Sequence, residues 1–144
     1  MTIISSETLH ATCIAIEGRG VLLAGPSGAG KSDLALRLID RGAELVSDDY
    51  TILSRESEQL IARAPDGIRG KFEVRGIGIV SMPQRESAPV ALIVRIEVAP
   101  DRLPDAPGTR RIAGIDIEEI ALPALEPSAT IKVELALRRV GMAA

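Results

Sequence analysis

Aromatic side chains are nearly missing from this chain: of 144 residues one is Phe, one is Tyr and none is Trp. Stacking on nucleic acid bases needs such rings, and holding a polyanion needs a basic field, which a net charge of −3 does not supply. Nucleic acid is therefore not an expected partner. Cysteine is as scarce. The one thiol, Cys13, has no second cysteine for a disulfide or a shared metal, and its apolar setting Cys13-Ile14-Ala15-Ile16 marks it as a packed residue. No apolar run is long enough to span a bilayer, and the N-terminus lacks the basic, apolar, small order of a secretion signal. These absences lead to the expectation of a soluble cytoplasmic protein, without a membrane partner, whose core is aliphatic. Its length predicts a single domain over residues 1–144.

What the chain does contain is Gly25-Pro26-Ser27-Gly28-Ala29-Gly30-Lys31-Ser32, a complete phosphate-binding loop. Its glycines let successive backbone N–H groups turn toward phosphate oxygens. Lys31 supplies a charge for the outer phosphates, and the Ser32 hydroxyl can ligate magnesium. The context fits: Val21-Leu22-Leu23-Ala24 reads as a buried strand running into the loop, and the residues after it read as a helix whose N-terminus favours anions. ATP or GTP is the expected ligand.

Around the loop the pattern is one of many short strands. His10–Ile16 and Gly20–Ala24 are predicted strands joined by a Gly-containing hairpin. Leu34, Ala35, Leu38 and Ile39 form one face of a helix over 31–41, stopped by Gly42. Glu44-Leu45-Val46 is a short strand ending at Ser47-Asp48-Asp49, and Tyr50–Ser54 with Gln59–Ala64 reads as an antiparallel pair. Phe72–Arg75 extends toward a glycine bend at Gly76-Ile77-Gly78, and Val90–Val98 alternates strictly. Residues 99–111 hold prolines and charges without periodicity and read as a long loop near the site. Another strand is predicted over 115–121. The last element is two-sided: Ile131, Val133, Leu135 and Leu137 alternate as in a strand, whereas the composition, with Ser128 as a possible N-cap and Gly141 as a stop, suits a helix.

Two groups of charged residues bear on chemistry. Asp48 and Asp49 follow a strand that, if adjacent to the loop's own strand, would end beside the outermost phosphate. There one carboxylate can serve as base for a hydroxyl and the other can position or hold metal. The plain alternative is a turn with two solvated acids. Glu73 and Arg75 alternate on one strand face, able to bind magnesium and phosphate or to form a mere surface ion pair. His10, the one histidine, cannot be assigned by spacing.

His10, the loop 25–32, Leu36-Arg37-Leu38-Ile39-Asp40-Arg41-Gly42, Leu45-Val46-Ser47-Asp48-Asp49 and Phe72-Glu73-Val74-Arg75-Gly76-Ile77-Gly78-Ile79 together resemble the bacterial HPr kinase/phosphorylase family. The resemblance implies an α/β P-loop kinase fold of the type shared with phosphoenolpyruvate carboxykinase, a mixed sheet with few helices. It implies an ATP- and Mg2+-dependent kinase that phosphorylates a serine of the phosphocarrier protein HPr, with phosphorolysis of the product in bifunctional members. It makes His10, Lys31, Asp48, Asp49 and Arg102 catalytic, Arg102 by the similarity of Asp101-Arg102-Leu103 to a family segment, with Pro104 in place of a glycine. Asp49 is the favoured base. Gly25, Pro26, Ser27, Gly28, Ala29, Gly30, Lys31 and Ser32 become the ATP loop, and Ser32 and Glu73 the magnesium ligands.

Departures shape the remaining expectations. His10 lies near the start, so the chain resembles a short form, the catalytic domain alone. A Pro-x-Arg-Pro-Gly-Arg-Asn run of the family is replaced by Leu125-Glu126-Pro127-Ser128-Ala129, which removes cationic donors that serve phosphorolysis and effector control. The resemblance implies a homo-oligomer, a hexamer in long forms, and a helix as the last element. The alternatives are a P-loop kinase acting on another protein or a small hydroxylated molecule, and a non-catalytic nucleotide sensor.

Overall fold

The computed structural model describes residues 6–97 and 108–142. Among them are eleven strands and two α-helices, which makes the fold the expected α/β mixed sheet. Nine strands form one sheet: β1 (Ser6–Leu9), β2 (Ala11–Ile16), β3 (Arg19–Ala24), β4 (Glu44–Ser47), β5 (Thr51–Glu56), β6 (Gln59–Arg63), β9 (Ser87–Ile96), β10 (Gly108–Ile112) and β11 (Ile115–Leu122). β7 (Lys71–Val74) and β8 (Gly78–Ser81) make a separate hairpin. The helices are α1 (Lys31–Asp40) and α2 (Ala129–Met142).

β9 is the spine. Along one edge it pairs in parallel with β3, while on the other edge its first residues pair antiparallel with β6 and its last five pair in parallel with β11. β3 is therefore flanked on both sides, by β9 and by its hairpin partner β2. Alternation in the central strands then splits the core in two. Val21 and Leu23 of β3, Ile14 of β2 and Leu92, Val94 and Ile96 of β9 face α1 and α2. Leu22, Cys13 and Ile93 face the opposite way, toward Leu53, Leu60, Ile112 and Ile117. There β5 packs across β2 and β6 across β4, so the second face is covered by sheet rather than helix.

α1 forms where its apolar period dictates, burying Leu34, Ala35 and Leu38. Its end is a Schellman motif: the Gly42 N–H donates to Ile39 O and the Ala43 N–H to Leu38 O, both at 3.0 Å, with Gly42 at φ 113°. Arg41 fastens this end to α2, donating to both carboxylate oxygens of Glu134 at 2.7 and 3.0 Å. These hydrogen bonds hold the Glu134 carboxyl below its usual range.

Two expectations change, and one that the residues alone left open is decided. The last element is the helix that the family resemblance implied: Val133 and Leu137, four residues apart, are buried while Ile131 and Leu135 are exposed. The alternation was one-half of a period of four. Gly141 does not stop that helix, which continues to Met142. The predicted loop 99–111 is shortened from its far end, since 108–112 pair with β11 as β10. Of the described residues, no helix is long and apolar enough to cross a membrane.

Candidate active site

The phosphate loop leaves the C-terminal end of β3 and enters α1, so it sits at the centre of the sheet rather than at its margin. Gly30 caps α1 in the left-handed region at φ 103°, and a Cβ there would come within 3.0 Å of the Ala124 Cβ. Only glycine satisfies both the turn and the close approach. Lys31 is 6% exposed, and its ammonium donates to the Gly25 carbonyl, folding the side chain back across the loop. The N-terminus of α1 points its free N–H groups at the same place, as an anion site requires.

Asp48 and Asp49 approach this loop by an unexpected route. β4, which leads into them, is not adjacent to β3; β2 lies between the two. Because β2 is antiparallel to both, β4 still runs parallel to β3 and ends at the same edge of the sheet. Pairing between β2 and β4 reaches only to Cys13 and Ser47, so the next residues are free to turn toward α1. Asp48 is 8% exposed and accepts three hydrogen bonds: Thr12 Oγ1 (3.2 Å) and Ser32 Oγ (3.3 Å) donate to its Oδ1, and the Glu73 N–H (3.1 Å) to its Oδ2. The carboxylate thus ties the loop's serine, β2 and the β7–β8 hairpin together.

Asp49 is arranged otherwise. It stands at the apex of a three-residue turn closed by the Tyr50 N–H on the Asp48 carbonyl (2.7 Å), and its φ is 69°, uncommon for a residue with a side chain. Its N–H donates to Thr12 Oγ1 at 3.0 Å. The side chain is 55% exposed, and His10 Nε2–H donates to its Oδ1 at 2.7 Å. Tyr50 stacks on the imidazole, with ring centroids 4.9 Å apart, and fixes its plane.

A cleft of about 500 Å³ joins these parts, and Ser27, Gly28, Gly30, Lys31 and Ser32 line it together with Asp48, Asp49, Glu73 and Arg75. The sequence placed Glu73 and Arg75 on one strand; in the structure Arg75 belongs to the turn after β7, yet both residues border the cleft. His10 reaches the site through Asp49 and lines an adjoining hollow with Gly25, Pro26, Glu97 and Arg110. Arg102 lies outside the described residues. Of the described residues, no three His, Cys, Asp or Glu side chains converge as a metal cage. The oxygen donors at hand, Ser32 Oγ beside Asp48 with Glu73 on the same cleft, suit a hard cation that takes few protein ligands.

Sequence reasoning missed Thr12, Tyr50 and Arg37. Thr12 is the polar residue inside an apolar strand and fully buried, which is a readable signal. Arg37 donates to the carbonyls of Ala124 and Glu126, and so holds the Leu125 segment over the loop's helix. That contact has no local signature.

Similarity to known proteins converges on one group. Residues 2–140 match the family described as HPr Serine kinase C-terminal domain. The chain belongs to that family. It is 35% identical over 130 residues to the HPr kinase/phosphorylase of Limosilactobacillus reuteri (strain DSM 20016), covering 81% of this chain and 41% of that protein. It is 35% identical over 131 residues to the HPr kinase/phosphorylase of Halalkalibacterium halodurans, covering 82% and 42%. The chain thus spans about two fifths of the length of these curated relatives. The Hpr(Ser) kinase/phosphatase structure from Coxiella burnetii superposes with a TM-score of 0.81 at 31% identity, over 94% of this chain and 91% of that one. Family membership and the HPr-kinase fold, both anticipated from the sequence, follow directly.

Proposed function

We propose that this chain is a single kinase domain that transfers the γ-phosphoryl group of ATP to a serine of an HPr-like phosphocarrier protein. The observation that carries the reading is that Lys31 and Ser32 line one cleft with Asp48, Asp49 and Glu73. The loop's N–H groups and Lys31 bind the phosphates, with the ammonium exchanging the Gly25 carbonyl for phosphate oxygen. Ser32 and Asp48, already in contact, and Glu73 would hold Mg2+, which would supply positive charge to the phosphates. Asp49 takes the acceptor's proton: its Oδ1 is held by His10, leaving Oδ2 for the serine hydroxyl. The serine oxygen forms its bond to the γ-phosphorus as the bond to the β–γ bridging oxygen breaks, and ADP leaves. Arg102 enters this proposal on the family resemblance, as a stabiliser of the phosphoryl charge; Glu97 and Arg110, on either side of its segment, line a hollow with His10.

Incubation of the protein with Mg2+-ATP and an HPr-type carrier, read by mass spectrometry, should show one phosphate on one serine. Transfer should vanish in Lys31→Ala. ATP binding without transfer to any such carrier would redirect the reading to another hydroxyl-bearing substrate.

A further inference from the structure

Thr12 lies on β2 between Ala11 and Cys13, both of which face the second core. Alternation therefore turns its side chain to the helix side, the side on which Ile14 packs in the apolar cluster. A hydroxyl at a fully buried position of such a strand needs partners. Thr12 has two, and they are the neighbouring acids: Oγ1 donates to Asp48 Oδ1 at 3.2 Å and accepts from the Asp49 N–H at 3.0 Å. One oxygen thus grips the side chain of the first acid and the backbone of the second. It does so where the β2–β4 ladder has ended, and where Asp49 holds a positive φ.

We propose that Thr12 is the positioning residue of the site, its hydroxyl fixing the spacing and orientation between Asp48, beside Ser32, and Asp49, beside His10. The inference rests on the kinase reading above for its catalytic consequence, but not for its structural one. Without the hydroxyl the turn at Asp49 loses the contact that holds its N–H inward, and the base carboxylate shifts relative to the phosphate loop. Misplacement on the order of 1 Å lowers transfer about 100-fold while leaving the phosphate cradle intact.

The test uses Thr12→Val, which keeps the branched shape and removes the hydroxyl, and Thr12→Ser, which keeps the hydroxyl. Thr12→Ala replaces the valine variant should that one not fold. The expected result is a fall in kcat of about 10- to 100-fold in Thr12→Val, with the Kd for ATP within about twofold of the wild type, since a tenfold change would mean 1.4 kcal/mol lost from the cradle itself. Thr12→Ser recovers most of the rate. In parallel, amide hydrogen exchange by NMR should show the Asp49 N–H exchanging about 5- to 10-fold faster in the valine variant, equivalent to one lost hydrogen bond, and returning in the serine variant. Unchanged kcat in Thr12→Val, or an equal loss in Thr12→Ser, overturns the proposal. A wild type that transfers no phosphate defeats the kinase reading alone; the exchange rate at Asp49 still decides the role of Thr12, and equal protection in all variants overturns it.

Discussion

The two faces of the central sheet divide the molecule's tasks. On the helix side, at the C-terminal ends of β3 and β4, polar groups collect: Thr12, Lys31 and Asp48 are buried there or nearly so. On the other side the same strands present Ala11, Cys13, Leu22 and Val46 to an apolar cluster. Residues one step apart on β2, Thr12 and Cys13, fall on opposite sides of this division. What differs is the surroundings that each face meets, loop and turn on one side and covering strands on the other. Both faces bury apolar residues, but only the first also carries the site's polar groups, so changing those groups should alter chemistry more than stability, and truncating the second core should do the reverse.

The largest effect that probes this division is on the helix side. Asp49→Asn should lower phosphoryl transfer about 10²- to 10⁴-fold with ATP affinity and melting temperature nearly unchanged, because Asn tolerates the positive φ and the side chain is exposed. A steady-state rate with isothermal titration of ATP checks it; retained transfer removes Asp49 from the role of base. Next in size is Leu53→Ala on the far face, where the side chain is fully buried. Urea unfolding should show a loss of about 2–5 kcal/mol, while the folded variant transfers phosphate at the wild-type rate. A comparable fall in kcat would mean that the faces are coupled. The smallest concerns Cys13, whose thiol burial pushes from 9.0 up to about 12. The unfolded chain ionises this thiol first, so the stability it lends is whole below pH 9 and drains away as the pH rises toward 12. The slope is about 1.4 kcal/mol per pH unit. Unfolding curves at pH 8 and pH 10 should diverge more for the wild type than for Cys13→Ala, and equal divergence would show that the far face admits water.

Much of this was legible in the sequence for physical reasons. The phosphate loop carries its geometry in its own glycines, α1 announces itself by the spacing of Leu34, Ala35 and Leu38, and β9 by alternation. The family resemblance rested on the loop and on α1, together with His10, Leu45-Val46-Ser47-Asp48-Asp49 and the run from Phe72 to Ile79. The neighbour of β4 was not legible, because strand order is set by packing across the sheet, and β2 returns between β3 and β4 without a local sign. The helix of α2 came from the family resemblance and not from the residue pattern, since Ile131, Val133, Leu135 and Leu137 alternate as in a strand until one knows that only Val133 and Leu137 meet the core. Pairing of 108–112 with β11 also depended on contact, Thr109, Arg110 and Arg111 offering no apolar pattern. At the site, the acids and the loop were readable one by one. The turn that separates the surroundings of Asp48 from those of Asp49 was not, because it is held by Thr12 from another strand.

The pairing of β3 with β9 carries a consequence for synthesis. The β2–β3 hairpin can close soon after it leaves the ribosome, but the second edge of Val21-Leu22-Leu23-Ala24 stays open until β9 has been made as far as Arg95, about seventy residues later. Through that interval an aliphatic strand edge is exposed to other nascent chains. The nucleotide pocket is therefore completed only after β9 has been made, and products truncated before β9 are the ones expected to aggregate.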